Sequence, residues 1–415
     1  MSSYLTMDDF EFAGKKVLLR VDINSPIDPI SGTFLDDSRI KEHVQTMKEL
    51  EDSALVVMAH QSKPGKKDFT TMEGHARQIE KNIGRNVKYV DSLFSSNCLN
   101  EIDKLENGDV LLLENTRLYA EEVALANKDI KLQASSMIVS KLYPHFNYFI
   151  NDAFAAAHRS QPTLVGFYPR LPMLAGRLME REITMLGKAV DKPDKPVVVV
   201  LGGMKVDDSI DVMKNMLDNN IADNVLTTGL VASMGLISTG VNIGKANLEF
   251  IKKEVPDYHS YMKTFYSLIK EYGDAIKMPT DVVLNDDGHR LPLRIGEKIN
   301  DKLSIYDIGL DTIVEYSSII NQAGTIIANG PAGVFELNEF AIGTRELFMA
   351  IGLSKGYSVL GGGHTGVVAK QLGIADKVGH ISTGGGAAIN FLAGREMPVI
   401  NALKASKKMF KEGKY

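Results

Sequence analysis

One cysteine, Cys98, is all the thiol chemistry this 415-residue chain carries. A single thiol excludes an intramolecular disulfide and any Cys-cluster metal site. No apolar run approaches the roughly 18 residues that a membrane-spanning helix needs. The most concentrated run, Val197–Leu201, has the length and β-branching of a buried strand. The first ten residues carry Asp8 and Asp9 and show neither a basic n-region nor an apolar core, so the cytoplasm is the expected compartment. Excess positive charge is missing too: 47 Lys+Arg against 52 Asp+Glu leave a net charge of −5. That balance argues against a strongly basic nucleic-acid binder. Glycine is scarce in one half only. Residues 1–190 hold 9 of the 36 glycines and residues 191–415 hold 27, or about 5% against 12% where average usage is near 7%.

What is present is ordinary for a globular chain, with 44% hydrophobic and 24% charged residues. The length suggests two or three domains of about 150 residues. Short β-rich runs recur at Lys16–Val21, Ala54–Ala59, Val110–Leu113, Tyr148–Ile150, Val197–Leu201, Asn224–Thr227, Thr325–Ala328 and Ser358–Leu360. Several are continuous rather than alternating, as parallel strands covered on both faces are. Stretches such as Ala134–Leu142 and Ile210–Leu217 have the length of crossover helices. This rhythm predicts an α/β fold with doubly wound, Rossmann-like parallel sheets. Met179, Ile183, Leu186 and Val190 recur at helical spacing, and Asp191-Lys-Pro-Asp-Lys-Pro196 stops that helix. The expected organisation is an N-terminal lobe over residues 1–176, a hinge helix over 177–190 and a C-terminal lobe over 191–396.

Three glycine clusters flank strand or helix candidates in the second half. They are Gly202-Gly203-Met204-Lys205, Gly361-Gly362-Gly363-His364-Thr365-Gly366, and Gly384-Gly385-Gly386. Glycine lets backbone N–H groups approach an anion, and a following helix adds its positive end. Clusters at the strand ends of an open α/β sheet predict a nucleotide site. Neither common fingerprint carries it. Gly361-x-Gly363-x-x-Gly366 matches the dinucleotide pattern, but His380 to Ile389 offers no acid for the ribose, and the Walker A pattern is absent. Asn329-Gly-Pro331-Ala-Gly-Val-Phe-Glu336 forms another loop after a strand candidate, with one acid able to accept from ribose hydroxyls.

The glycine-poor half places side-chain cations just past its strands. His60, Lys63, Arg117, His158 and Arg159 follow strand candidates, and Arg39 lies on the first connection. Singly, each reads as a surface charge or a satisfied histidine. Together they suit a small, multiply anionic substrate, because guanidinium groups clasp carboxylate and phosphate bidentately. Asp22 and Asn24 are placed to bind its hydroxyl. No aromatic residues interleave with these cations, so nucleic acid is not the expected partner.

These residues resemble the phosphoglycerate kinase family. Arg20-Val-Asp-Ile-Asn-Ser-Pro26 is similar to its R-V-D-x-N-x-P opening. Asn151–Arg159, Leu201–Val206, Asn329–Glu336, Gly361–Thr365 and Ser382–Ala387 match further signatures in family order, from about residue 14 to 397. The resemblance implies a two-lobed kinase that moves a phosphoryl group between ATP and the carboxylate of 3-phosphoglycerate, with Mg2+ carried on ATP or ADP. It implies that Asp22, Asn24, Arg39, His60, Arg117 and Arg159 bind the triose. Lys205 then serves nucleotide phosphate, Glu336 the ribose, and the glycines at 361–363 and 384–386 the phosphate-facing helix starts. Residues 397–415 are expected to return to the N-terminal lobe. No membrane partner is expected, and a monomer is the expected state.

Four positions depart from the family pattern. Lys63 stands for arginine, Ser62 for glycine, Ser209 for a second lysine, and His364 for an aspartate associated with the metal-nucleotide. Neutral imidazole is a poor ligand for Mg2+, which prefers oxygen, so no metal-holding side chain is assigned. The Gly-Gly-Gly-His form resembles the archaeal branch. The substrate carboxylate is itself the nucleophile, so no general base is needed, and Arg39 and Lys205 are the expected stabilisers of the transferring phosphoryl group. Their placement in different lobes implies closure. A dinucleotide-dependent dehydrogenase and a noncatalytic nucleotide-binding protein are the competing readings.

Overall fold

The computed structural model describes residues 2–415, apart from the surroundings of Gly363 and the side chain of His364. Two compact units divide the chain: Met1–Ile183 with Glu396–Tyr415, and Thr184–Arg395. The division falls inside the helix Arg177–Val190 and again between Arg395 and Glu396.

The first unit carries strands β1 (Leu5–Thr6), β2 (Lys16–Arg20), β3 (Ala54–Met58), β4 (Val87–Tyr89), β5 (Val110–Leu112), β6 (Tyr148–Asn151) and β7 (Met173–Ala175). They lie in the order β1-β7-β6-β2-β3-β5-β4, and every pairing is parallel. Ala54 to Met58 are buried throughout, which is why a continuous aliphatic run, rather than an alternating one, builds this centre. The helix Pro398–Lys411 belongs to this unit. There Ser406 Oγ accepts from Met173 N–H at 2.8 Å and Val399 N–H donates to Ala157 C=O at 3.2 Å.

The second unit carries β8 (Val197–Leu201), β9 (Asn224–Thr227), β10 (Ile276–Lys277), β11 (Asp281–Asp286), β12 (His289–Arg294), β13 (Ser304–Ile308), β14 (Thr325–Asn329), β15 (Tyr357–Gly361) and β16 (His380–Ile381). Six form a parallel sheet in the order β10-β9-β8-β14-β15-β16. The other three form an antiparallel sheet in the order β12-β11-β13. The all-parallel expectation omitted this small sheet. Its signal is Asp287-Gly288, whose φ values of 49° and 87° make the left-handed two-residue turn that hairpins favour. One expected helix also divides. Ile130–Ala134 ends before Ser135, and Ser136 Oγ accepts from Val139 N–H at 3.3 Å to start Met137–Leu142 afresh. Serine side chains compete for backbone groups inside a helix and favour its N-cap instead.

Strand order places the loops that matter. In the first sheet the order reverses between β2 and β6, and in the second between β8 and β14. Open α/β sheets bind ligands outside the strand C-termini at such reversals. Arg20 pairs in register with Met58 and Asn151, and Asn329 with Leu201 and Gly361. The residues immediately past these strands therefore emerge at one edge of their own sheet.

Candidate active site

The loop after β3 is held by its neighbours. Asn24, past β2, accepts from Ser62 N–H through Oδ1 at 2.8 Å, and Ser62 Oγ donates to Asp68 Oδ1 at 2.6 Å. Ser62 has φ = 53°, the left-handed region that costs a non-glycine residue about 1–2 kcal/mol. Its carbonyl accepts from Arg117 Nη1. These bonds frame a cavity of about 650 Å3 onto which Asn24, Lys63, Arg117, His158 and Arg159 all open. Lys66 and Asp68 line it as well, and sequence reasoning missed both. Burial and then the neighbouring Arg159 lower the Arg117 pKa. Arg159 Nε donates to His158 Nε2 at 3.3 Å. Among the described residues, neither Arg117 nor Arg159 has a carboxylate within 4.0 Å. Crowded cations without an acid between them are an electrostatic cost that a bound anion relieves.

Asp22, Arg39 and His60 do not line this cavity; Asp22 is joined to it through Asn24 and Arg39 through Asp22, while His60 is bonded to Arg20. Arg39 Nη1 reaches Asp22 Oδ1 at 3.1 Å, and the same oxygen accepts from Asn24 N–H at 3.2 Å. Burial penalises the Asp22 carboxylate, but the neighbouring His60, with Arg39, Arg20 and the Asn24 N–H, outweighs it and holds its pKa below the usual range.

Arg20, at the head of the Arg20–Pro26 motif, organises the buried layer around His60, a role that sequence reasoning missed. The residue is 1% exposed. Nε donates to Thr163 Oγ1 at 3.2 Å, Nη1 to the Val21 carbonyl, and Nη2 faces His60 Nδ1 at 3.0 Å. Buried Glu122 balances it through Thr163, accepting from the Thr163 hydroxyl at 2.5 Å and its N–H at 3.0 Å. A guanidinium has donors and no acceptor. His60 Nδ1 must therefore accept, so the ring is neutral with its proton on Nε2. Burial, with Arg20, Arg117 and Arg159 nearby and only Asp22 opposing, likewise holds the His60 pKa well below its ordinary value.

Behind this layer lies a buried carboxylate that closes its own accounts. Asp152 Oδ2 meets His43 Nδ1 at 2.7 Å and Thr46 Oγ1 at 2.8 Å. Its Oδ1 accepts from the Leu178 and Met179 N–H groups at 2.9 and 3.1 Å. Those N–H groups belong to the first turn of Arg177–Val190, where a helix lacks internal acceptors. Asp22 N–H meets the other side of the same His43, at 3.1 Å from Nε2.

In the second unit three loops meet at neighbouring strand ends. Gly202 N–H donates to Asn329 C=O at 2.9 Å, and Gly203 N–H to Pro331 C=O at 2.8 Å. Gly330 N–H donates to Thr365 Oγ1 at 3.2 Å. The approach is close enough to demand glycine. A Cβ on Gly330, where φ is 83°, would lie 2.4 Å from the Gly202 carbonyl oxygen. Gly361 and Gly362 pass against Asn329 Oδ1, and Gly363–Gln371 begins a helix there. Gly384 and Gly385 precede a second helix, Gly386–Leu392, past β16. The His364 side chain lies outside the described residues.

Lys205 precedes the helix Val206–Asp218 and is 66% exposed, with Asp208 Oδ2 at 3.9 Å. Sequence reasoning missed the reason it stays loosely paired. Arg395 Nη1 holds Asp208 at 2.8 Å and Arg395 Nε holds Asp211 at 3.2 Å. Ser209 is fully buried in that helix. Glu336 is exposed at the end of its loop, away from the bonds that join Gly202, Gly203, Asn329 and Pro331.

Comparison with known proteins completes the description. The family model described as Phosphoglycerate kinase matches residues 7–395. The chain is 50% identical over 406 residues to the phosphoglycerate kinase of Methanothermobacter thermautotrophicus, covering 97% of each. It is 48% identical over 412 residues to that of Methanosarcina mazei, covering 99% of this chain and 98% of the other. The crystal structure of phosphoglycerate kinase from Pyrococcus horikoshii OT3 matches with a TM-score of 0.88 at 41% identity, over 97% of this chain and 99% of that one. The Coxiella burnetii enzyme matches with a TM-score of 0.81 at 27% identity and the same coverage.

Proposed function

Because this chain belongs to the phosphoglycerate kinase family, we propose that its cation-lined cavity holds 3-phosphoglycerate and its glycine loops hold the nucleotide. The activity is phosphoryl transfer between ATP and the carboxylate of 3-phosphoglycerate. The observation that carries the site assignment is the cluster of Lys63, Arg117 and Arg159 on one cavity with, among the described residues, no acid paired to either guanidinium. The substrate phosphate binds there, and its hydroxyl meets Asp22 and Asn24.

Arg39 faces the carboxylate end and stabilises charge on the phosphoryl group as it arrives. His60, fixed as a neutral Nε2–H donor by Arg20, adds a hydrogen bond there without adding a charge. The carboxylate is ionised at neutral pH and attacks phosphorus directly, so no side chain need remove a proton. The P–O bond to ADP breaks as the acyl-phosphate bond forms. On the nucleotide side, backbone N–H groups at the starts of Gly363–Gln371 and Gly386–Leu392 cradle phosphate and Lys205 neutralises it, while the Gly202 and Gly203 N–H groups, bonded to Asn329 and Pro331, tie the loops together.

Magnesium enters as part of the nucleotide substrate. Among the described residues no group of three or more His, Cys, Asp or Glu is placed to hold an ion. Its ligands are oxygen donors, phosphate oxygens and water among them. The first unit is thus the triose lobe and the second the nucleotide lobe, in the cytoplasm and as a monomer.

Separating the two ligands by calorimetry tests this partition. Arg159→Ala is expected to abolish measurable 3-phosphoglycerate binding and leave ADP binding intact, and Gly203→Val the reverse. Loss of both ligands in either folded variant would overturn the assignment.

A further inference from the structure

We propose that Lys66 is a further cation for the substrate's phosphate, joining Arg117 and Arg159 and acting with Lys63 from the two ends of one turn. The inference rests on the assignment of the cavity to 3-phosphoglycerate and adds a specificity residue to it. Lys63-Pro64-Gly65-Lys66 forms a β-turn closed by Lys66 N–H donating to Lys63 C=O at 3.1 Å. Gly65 takes φ = 84°, the left-handed conformation that the third residue of a Pro-Gly turn requires. Residues at the ends of such a turn stand side by side, within about 7 Å between Cα atoms. Both lysines open onto the same cavity.

Their charges are available. Among the described residues, neither ammonium has a carboxylate within 4.0 Å. The acid nearest in the loop, Asp68, is engaged by the Ser62 hydroxyl at 2.6 Å. A lysine offers a compact point charge, unlike the two-pronged guanidinium. One ammonium therefore fixes a phosphate at a single point, and two at the ends of a rigid turn fix it at two. Lys67, the next residue, is also exposed but does not line the cavity. It serves as a charge-matched control.

Steady-state kinetics with Lys66→Gln, Lys66→Arg and Lys67→Gln test the proposal, with inorganic phosphate as a competitive inhibitor against 3-phosphoglycerate. Lys66→Gln is expected to raise KM for 3-phosphoglycerate about tenfold, the size of one charge-assisted contact. It should weaken inhibition by inorganic phosphate in parallel, with kcat and KM for ATP unchanged. Lys66→Arg, which keeps the charge but not the ammonium, should recover part of the affinity that Lys66→Gln loses, and Lys67→Gln should change nothing. Equal effects of Lys66→Gln and Lys67→Gln would reduce the role to general charge and overturn the proposal. Should the natural protein show no turnover, the kinase reading fails separately. Calorimetric binding of inorganic phosphate to the natural and Lys66→Gln proteins then decides the inference, with equal affinities or no binding to either counting against it.

Discussion

Arg20 Nη2 donates to His60 Nδ1 across 3.0 Å, with both side chains buried. An always-charged donor on Nδ1 leaves no room for a second ring proton, so protonating His60 would break this bond and place two cations face to face. In nitrogen-detected NMR, the His60 ring is expected to show Nδ1 as acceptor and Nε2 as protonated, with no titration as pH falls from 8 through the ordinary histidine value of about 6.5. The linkage follows from the lowered pKa. The unfolded chain takes up a proton that the folded one refuses, so this contribution to stability is whole above about pH 6.5 and declines as pH falls below it. His60→Gln should flatten that acid slope. A His60 ring titrating near its ordinary value in the natural protein would contradict the account.

Arg39 sits 3.1 Å from Asp22 Oδ1 and is 40% exposed at its side chain, so it is held yet free to meet a ligand. Replacing Arg39 or Lys205 with alanine removes charge stabilisation that is strongest in the transition state. The expected loss in kcat is about 10²–10³-fold, with much smaller changes in KM. Unchanged turnover in Arg39→Ala would remove it from this role.

Gly330→Ala puts a methyl group 2.4 Å from the Gly202 carbonyl oxygen and 2.6 Å from its carbon. The two loops must separate, and the backbone cradle with them. ADP affinity should drop at least tenfold while 3-phosphoglycerate affinity stays unchanged, a cost of about 1.4 kcal/mol or more at the affected site. Isothermal titration of each ligand distinguishes this from general unfolding.

Gly176→Ala is expected to act on stability. Its Cβ would fall 2.3 Å from Asp152 Oδ1, driving the carboxylate off the Leu178 and Met179 N–H groups. Leaving buried donors unpaired on top of the overlap costs about 2–4 kcal/mol, measurable as a lower urea midpoint.

The Cys98 thiol is buried, and burial, with Asp91 adding to it, raises its pKa to about 12. Thiolate is the reactive form. Iodoacetamide at pH 8 should leave the folded protein unmodified and label it stoichiometrically in denaturant.

The parallel sheets were legible because Val197–Leu201 and Ala54–Met58 are unbroken aliphatic runs, and buried parallel strands require that pattern. The glycine clusters were legible because close backbone approach forbids a Cβ. The antiparallel sheet escaped, although Asp287-Gly288 marked its turn, because β12 is largely exposed and lacks an apolar signature. Arg20 escaped for a different reason. It lies on a strand, where a side chain points into the interior or away from it by alternation alone, and its partners His60 and Thr163 stand 40 and 143 residues away. Arg395 escaped likewise, being 187 residues from Asp208. Local pattern shows which residues lie past strands, while tertiary packing decides which of their charges remain unpaired.

The most direct measurement is ADP formation from Mg-ATP with and without 3-phosphoglycerate, the acyl phosphate being trapped by hydroxylamine. The account predicts ADP release only when 3-phosphoglycerate is present, with one hydroxamate formed per ADP. ADP release independent of 3-phosphoglycerate, or none from folded protein saturated with both substrates, would contradict it.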